Sequence, residues 1–189
     1  FGPFYKDFGL TVMAKLFCRN IVYHFHDKGI SKNGNVPRFI MNFFFKNVKV
    51  IQSSPLLYYD IEEFVNIKDV FFCAYGIDDH HQDAVVANRT AGDKVKILFF
   101  AHMLGVKGVF VLLEACKILH DRGVAFECNF VGSWHDIHEN DFFFFLKKNA
   151  LEEKVNFLGP QYGPHKDKVL AETDIFCLPT FYSMECFPL

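Results

Sequence analysis

The sequence of 189 residues has few of the features that assign a protein to a class at once. It contains no apolar run that reaches the roughly 18 residues of a membrane-spanning helix. Its formal net charge is −2, so it has no excess of basic residues, and we expect no nucleic acid among its partners. The six cysteines include no Cys-x-x-Cys pair, and four of them lie in apolar patterns, which favours reduced thiols and a cytoplasmic location.

The sequence also lacks one common nucleotide-binding motif but is rich in phenylalanine. No predicted strand is followed by Gly-x-Gly-x-x-Gly, which argues against a dinucleotide-binding dehydrogenase. The 25 phenylalanines often occur in runs, which we interpret as core together with one adhesive surface. Phe142–Phe145 covers every side of one helical turn. We therefore expect one side of it in the core and the other at an interface or a membrane surface.

Apolar segments of strand length alternate along the chain with segments of helical periodicity. This alternation predicts an α/β fold with two Rossmann-like, doubly wound parallel-sheet domains, both incomplete in this chain. We assign residues 1–78 to a partial N-terminal domain, 79–93 to a polar linker and 94–189 to a partial C-terminal domain. The predicted helices are Arg38–Asn47, Leu56–Val65, 108–121, 140–149 and 166–172, with the end of another within Thr11–Arg19. The predicted strands are Ile21–Asp27, Val48–Gln52, Asp69–Ala74, 95–101, Ala125–Val131, Val155–Leu158 and Asp174–Leu178.

The most informative segment is the strand, loop and helix that begin at Lys94. Five apolar residues, Ile97–Ala101, predict a strand that is buried on both faces. Apolar residues then recur with helical spacing from Val109 onward. Lys107 and Gly108 lie where that helix begins, and a helix N-terminus that follows a parallel strand attracts anions. We interpret this loop either as a site for a phosphate-bearing ligand or as a solvated helix start with a flexible glycine.

Ligands of doubly wound sheets bind at the edge that the carboxyl ends of the strands form. His24 and His26 face the same side of their strand, and His26 lies nearer to that edge. Each is either a partly buried histidine bonded to the backbone or a hydrogen-bond donor or base toward a sugar hydroxyl. No third ligand stands at a diagnostic spacing, which argues against a metal site at this His-x-His pair. The other residues expected at strand ends are Gly76–Asp78, His102–Lys107, Gly132–Trp134, Gly159–Tyr162 and Thr180–Leu189.

Several segments, taken in order, resemble the retaining glycosyltransferases of the GT-B class known as family 4, or glycosyl transferases group 1. In the C-terminal half they are ILFFAHMLGVKGVFVLLEACKIL, FECNFVGSW, KVNFLGPQY and DIFCLPTFYSMECFPL. The family's pattern there is a strand, Arg-x-x-x-x-Lys-Gly, a helix, Val-Gly, Phe-Leu-Gly, and a final proline segment that ends in Glu-Gly-Phe-Gly-Leu. Upstream, IVYHFHDKG and AYGID are similar to the family's histidine-bearing strand and its Asn-Gly-Ile-Asp turn. The resemblance covers nearly the whole chain from about Ile21.

The resemblance implies a role for each residue that matches the family's pattern. The donor and its diphosphate would be bound by His102, Lys107, Gly108, Phe187, Pro188 and Leu189. The nucleotide would be held by Gly132, Pro160 and Gln161, and the catalytic positions are those of His26 and Glu185. Three residues depart from the pattern, because His102 replaces an arginine, Pro188 a glycine and Tyr75 an asparagine. A histidine is mostly neutral at pH 7, and a proline lacks the N–H of a glycine, so both changes weaken the expected contacts to phosphate.

The resemblance also implies an activity. It is transfer of a sugar from a nucleotide-sugar to a glycan or lipid-linked acceptor, with retention of configuration, in bacterial polysaccharide or lipopolysaccharide biosynthesis. We expect a cytoplasmic enzyme with peripheral contact to the inner face of the plasma membrane. No Asp-x-Asp sequence suggests a metal-bound nucleotide, so we expect no cofactor and no metal. The alternatives are a non-catalytic nucleotide- or sugar-binding module and a nucleotide-sugar epimerase or phosphorylase of the same architecture.

Both ends of the chain bear on this expectation. The sequence begins at Phe1 without a methionine and stops at Leu189 in the middle of a pattern. We therefore expect a fragment that is truncated at both ends and inactive in sugar transfer by itself.

Overall fold

A computed structural model describes residues 2–26, 28–30, 36–76 and 94–182 of the chain, with side chains from residue 7 onward. The described residues form two compact units, one that extends to Gly76 and one at residues 94–182. The linker predicted at residues 79–93 lies outside the described residues.

The first unit is built on a parallel sheet of three strands in the order β1-β2-β3. Its strands are β1 (Val22–His24), β2 (Lys49–Gln52) and β3 (Val70–Phe72). Its helices are α1 (Gly2–Phe17) and α2 (Arg38–Phe45), with short 3₁₀ helices at Pro55–Asp60 and Ile67–Asp69. Pro37 precedes α2, where the fixed φ of proline suits a helix start. The buried face of α2 packs with Val50 of the central strand into one core.

The helix predicted at Leu56–Val65 is wrong, because this segment forms a 3₁₀ helix at Pro55–Asp60 followed by a turn. The Gln52 side chain donates a hydrogen bond to the Leu57 carbonyl at 3.1 Å. The Ile61 N–H, which would bond to the Leu57 carbonyl in an α-helix, bonds to the Tyr58 carbonyl instead. Asp60 in this segment is only 3% exposed. Its carboxylate accepts hydrogen bonds from the N–H groups of Gly29 and Ile30, at 2.8 and 3.0 Å.

The second unit is a parallel sheet of four strands in the order β6-β5-β4-β7. Its strands are β4 (Val95–Phe100), β5 (Phe126–Val131), β6 (Val155–Gly159) and β7 (Ile175–Phe176). Its helices are α3 (Val109–Asp121), α4 (Glu139–Lys148) and α5 (Gly163–Ala171), and a 3₁₀ turn at Gly105–Lys107 precedes α3. All of these elements lie within three residues of the predicted bounds, so the α/β prediction is confirmed. The order of the strands reverses between β4 and β7, which makes this position a topological switch point.

The core of the second unit explains much of the phenylalanine content. Phe99, Phe126, Phe130 and Phe142 are all at most 1% exposed. One side of the Phe142–Phe145 run lies in this core, as predicted, whereas Phe144 is 68% exposed. No helix within the described ranges is both long and apolar enough to cross a membrane.

The described cysteines are all free thiols. Cys116 and Cys128 lie in the core of the second unit and are fully buried. A hydrogen bond with Cys116 and burial raise the pKa of Cys128 far above its ordinary value. Burial and the neighbouring Cys116 raise the pKa of Cys177 as well. Cys128 and Cys177 therefore stay protonated at neutral pH and pack as small apolar groups.

Candidate functional site

The candidate site is the carboxyl edge of the second sheet, at the switch point between β4 and β7. Gly108 lies there, immediately before α3, with a left-handed φ of 83°. A Cβ atom at Gly108 would come within 2.2 Å of the Pro179 carbonyl oxygen, so only glycine allows this approach. The Phe181 N–H donates to the Val106 carbonyl at 2.9 Å. The loop before α3 and the segment after β7 are thereby held against each other.

Lys107 ends the 3₁₀ turn that leads into α3, and its Nζ lies 5.3 Å from the centroid of the Tyr182 ring. The first N–H groups of a 13-residue α-helix point outward at this place, and the helix dipole adds a partial positive charge. A lysine charge and a helix N-terminus thus occur together at the edge where ligands of such sheets bind. This combination suits an anionic group such as a phosphate.

His102 follows β4, and Ser133 follows the neighbouring strand β5. The Nδ1 atom of His102 lies 2.6 Å from the hydroxyl oxygen of Ser133. Gly132, between β5 and Ser133, packs against Ala101, whose carbonyl oxygen would lie 1.9 Å from a Cβ at this position. The absence of a side chain at Gly132 therefore lets the ends of β4 and β5 meet closely.

Asp136 supports the same loop, and the sequence reading missed it. One carboxylate oxygen of Asp136 accepts a hydrogen bond from the Gly105 N–H at 2.8 Å. The Ile137 N–H donates to the Met103 carbonyl at 3.3 Å, which ties the segment after β5 to the segment after β4. The sequence could have indicated Asp136, because an acidic residue lies shortly after Gly132 at the end of β5. Nothing in the sequence indicates that its partner is Gly105.

Pro160 and Gln161 follow β6 at the same edge. The Gly132 N–H donates to the Gly159 carbonyl at 3.1 Å, so the end of β6 lies beside the end of β5. The amide of Gln161 donates to the Leu158 carbonyl at 2.7 Å, which folds this side chain back on its own strand end. The structure thus brings Gly132, Pro160 and Gln161 to the edge that also carries His102 and Lys107. Their roles remain predictions.

His26 belongs to the first unit, just after β1. Its Nδ1 lies 3.0 Å from the Tyr75 hydroxyl, and the two rings stack with centroids 5.6 Å apart. The ring centroid of His24 lies 4.2 Å from that of His26. The sequence reading missed the contact with Tyr75, because the two residues are far apart in the chain. In the parts of the chain that the structure describes, no three His, Cys, Asp or Glu side chains are grouped to hold a metal ion.

The remaining predicted site residues, Glu185, Phe187, Pro188 and Leu189, lie outside the described residues. Their positions relative to Lys107 and His102 are therefore untested.

Several solved structures have a similar fold, and some of them are named as glycosyltransferases. One is a glycosyltransferase from Rickettsia africae ESF-5, with a TM-score of 0.68 and 18% identity, covering 90% of this chain and 48% of that chain. Another is Anabaena Alr3699/HepE in complex with UDP and glucose, with a TM-score of 0.65, 18% identity and coverage of 90% and 49%. A third is WaaG, a glycosyltransferase involved in lipopolysaccharide biosynthesis, with a TM-score of 0.63, 13% identity and coverage of 94% and 57%.

The chain also matches two structures of the protein TarM, and it spans about a third of the length of each. It spans about half the length of the Rickettsia africae, HepE and WaaG structures. No curated protein matches the sequence. Residues 82–189, more than half of the chain, match the family model described as Glycosyl transferases group 1. The two parallel sheets, the edge at the switch point and this match agree, and the chain belongs to the glycosyl transferases group 1 family.

Proposed function

We propose that the chain is part of a glycosyltransferase that moves a sugar from a nucleotide-sugar donor to a glycan or lipid-linked acceptor, with retention of configuration. The observation that carries the proposal is the position of Lys107 at the N-terminus of α3, beside the switch point of a doubly wound sheet. Membership of the glycosyl transferases group 1 family supports sugar transfer, and a protein of similar fold binds UDP and glucose.

The chemistry of this edge suits a nucleotide-sugar. When the bond between the sugar and the diphosphate breaks, negative charge accumulates on the departing diphosphate. A fixed cation and outward-pointing N–H groups stabilise such charge without rearrangement, because they already point at the site. In the proposal, Lys107 and the start of α3 supply this stabilisation, and His102 donates one further hydrogen bond. Gly132, Pro160 and Gln161 would hold the nucleotide.

Two further residues have proposed roles in transfer. His26 would contact a sugar hydroxyl near the reacting carbon, since its ring is held by Tyr75 and stands at the end of β1. Glu185 would contact the donor sugar, a role that rests on the match of its segment to the family's pattern. The departing diphosphate would be stabilised by protein groups alone, without a metal ion.

A second candidate function is a non-catalytic nucleotide- or sugar-binding module. His102, where an arginine is expected, favours it, because an imidazole lacks the permanent charge and the fork of donors with which a guanidinium stabilises a leaving diphosphate. The two functions share a ligand and differ in whether the sugar is transferred.

The test is a screen of nucleotide-sugars that carry UDP, GDP or ADP, using the full-length protein and a mixture of glycan and lipid-linked acceptors. We expect acceptor-dependent release of one nucleoside diphosphate and a product with the donor's anomeric configuration, read by NMR coupling constants. Nucleotide binding without transfer of any sugar would replace the proposal with the binding module. A product of opposite configuration would contradict retention alone.

A further inference from the structure

The loop between β4 and α3 determines where the charge of Lys107 lies, because Lys107 is the last residue of the 3₁₀ turn Gly105–Lys107. Two hydrogen bonds close this turn on itself. The Lys107 N–H donates to the Leu104 carbonyl at 3.0 Å, and the Gly108 N–H donates to the Gly105 carbonyl at 2.9 Å. The turn is therefore compact, and the place of its lysine depends on the contacts that hold the turn as a whole.

The segment after β7 holds the turn at its middle residue. The Val106 carbonyl accepts hydrogen bonds from the Phe181 N–H at 2.9 Å and from the Thr180 hydroxyl at 3.4 Å. Just after the turn, the Pro179 carbonyl comes so close to Gly108 that a Cβ there would lie 2.2 Å from its oxygen. One side of the turn is thus fixed against the strand that lies across the switch point from β4.

The segment after β5 holds the turn at its first residue, through Asp136. Met103, just before the turn, is fully buried. Its N–H donates to the Ser133 carbonyl at 2.9 Å, and its carbonyl accepts from the Ile137 N–H at 3.3 Å. Asp136 lies between these two partners of Met103, and one of its carboxylate oxygens accepts a hydrogen bond from the Gly105 N–H at 2.8 Å. The backbone around Asp136 is therefore fixed with its carboxylate in reach of the turn.

The direction of the bond between Asp136 and Gly105 is determined by its two groups. A carboxylate can only accept a hydrogen bond, and a backbone N–H can only donate one. Gly105 is the first residue of the turn, and the first N–H groups of a helical turn have no acceptor within it. Asp136 supplies that acceptor in the way that a capping side chain does. The Asp136 side chain is exposed, so water screens its negative charge.

We propose that Asp136 is a positioning residue that fixes the turn Gly105–Lys107 and thereby directs Lys107 at the diphosphate of a nucleotide-sugar. The proposal rests on the proposed function for the identity of the ligand. A negative charge beside a site for an anion lowers affinity through repulsion. The hydrogen bond to Gly105 gives Asp136 an effect of the opposite sign, because it holds the lysine where the anion binds.

The first test needs no ligand and measures hydrogen exchange of the Gly105 amide by NMR. We expect this amide to exchange about 2- to 10-fold faster in Asp136→Ala than in the native protein, as for the loss of one hydrogen bond. In Asp136→Asn the rate should stay close to the native one, because the amide oxygen accepts the same bond. The Met103 amide, bonded to the Ser133 carbonyl, is the internal control and should keep its rate in all three proteins. Equal Gly105 rates in the native protein and Asp136→Ala would overturn the proposal.

The second test measures affinity for UDP, GDP and ADP by calorimetry, using whichever binds most tightly. Asp136→Asn and Asp136→Ala both remove the charge, but only Asp136→Asn keeps an acceptor for the Gly105 N–H. We expect Asp136→Asn to bind at least as tightly as the native protein, and Asp136→Ala to bind about 2- to 10-fold more weakly than Asp136→Asn. Asp141→Ala, which removes an exposed charge from α4, is the control and should leave affinity unchanged. Equal affinities of Asp136→Asn and Asp136→Ala would overturn the proposal.

The same comparison in a Lys107→Ala background shows whether Asp136 acts through the lysine. The difference in affinity between Asp136→Asn and Asp136→Ala should largely disappear there, because the side chain that the turn positions is gone. An undiminished difference would show that Asp136 acts apart from Lys107 and overturn its positioning role.

These results distinguish the proposal from the proposed function. If the native protein binds none of the three nucleotides, the proposed function fails, and the positioning of Lys107 toward a diphosphate fails with it. If nucleotides bind and Asp136→Ala matches Asp136→Asn in affinity, the proposed function stands and the positioning role of Asp136 fails.

Discussion

Replacing Gly108 by alanine is the perturbation that most sharply tests how the candidate site is built. Gly108 has a φ of 83°, and a Cβ there would lie 2.2 Å from the carbonyl oxygen of Pro179. Gly123 provides a matched control, because it has a φ of 71° but no atom within 4 Å of the position that a Cβ would occupy. Both Gly108→Ala and Gly123→Ala therefore carry left-handed strain, and only Gly108→Ala also forces two backbone segments apart.

The expected magnitudes follow from these two contributions. Left-handed backbone costs a residue with a Cβ about 1–2 kcal/mol, which sets the expected loss for Gly123→Ala. Overpacking adds roughly 1–3 kcal/mol, so Gly108→Ala should lower the free energy of unfolding by about 2–5 kcal/mol. With a urea dependence of about 2 kcal/mol per molar, an extra loss of about 2 kcal/mol lowers the urea midpoint by about 1 M relative to the control.

Fluorescence of Trp134 is the assay, because this residue is the sole tryptophan and lies in the second unit, where its ring stacks on Phe157. Its signal follows unfolding of the unit that contains the mutated glycine. If the midpoint of Gly108→Ala falls no further than that of Gly123→Ala, the close contact between Gly108 and Pro179 does not exist, and the description of the switch point is wrong.

Two further predictions concern the core of the second unit. Phe142→Ala should lower the free energy of unfolding by about 3–5 kcal/mol, because the side chain is fully buried. Phe144→Ala, in the same helix but 68% exposed, should change it by no more than about 0.5 kcal/mol, and equal urea midpoints for the two variants would contradict the burial pattern. Because hydrogen bonding to Cys116 and burial raise the pKa of Cys128, raising the pH from about 7 to about 9 should not speed its modification by iodoacetamide, whereas exposed Cys73 should react. Peptide mass mapping that finds Cys128 labelled in folded protein would refute this.

Much of the fold of the second unit follows from its sequence, because the apolar run of β4 is buried at the consecutive residues Ile97, Leu98 and Phe99. An apolar run such as Ile97–Ala101 can be a buried strand, and the helical spacing from Val109 onward fixes the next element. The strand order β6-β5-β4-β7 cannot be predicted from these apolar patterns, because short loops and right-handed crossovers permit several strand orders. The switch point between β4 and β7 could be located only from the structure.

The segment after β2 shows why local pattern fails. Its periodicity predicts a helix, but the Leu57 carbonyl is taken by the side chain of Gln52. The carboxylate of Asp60 is drawn inward by two N–H groups at Gly29 and Ile30, which lie 31 and 30 positions away in the chain. The spacing of apolar residues gives no information about contacts between residues so far apart in the chain. Here these contacts override the helical preference of the segment.

The sequence singles out candidate site residues, but it does not indicate their partners. Lys107 and Gly108 stand out because they occur where a strand, a loop and a helix meet. The pairing of His102 with Ser133 requires the register of β4 and β5, which places these residues opposite each other. The roles of Glu185, Phe187, Pro188 and Leu189 stay predictions, as do the peripheral membrane contact and the absence of a metal.

The central claim is that Lys107 and the N-terminus of α3 bind the diphosphate of a nucleotide-sugar. The most direct measurement is calorimetric titration of the native chain, Lys107→Ala and Lys117→Ala with UDP, GDP and ADP. Lys117 is the control, because it lies further along α3 and pairs with Asp121 at 2.6 Å. A charged hydrogen bond contributes about 1.5–3 kcal/mol, so Lys107→Ala should weaken binding by about 10- to 150-fold, while Lys117→Ala leaves it unchanged. Equal affinities for all three proteins, or no binding of any nucleotide by the native chain, would contradict the claim.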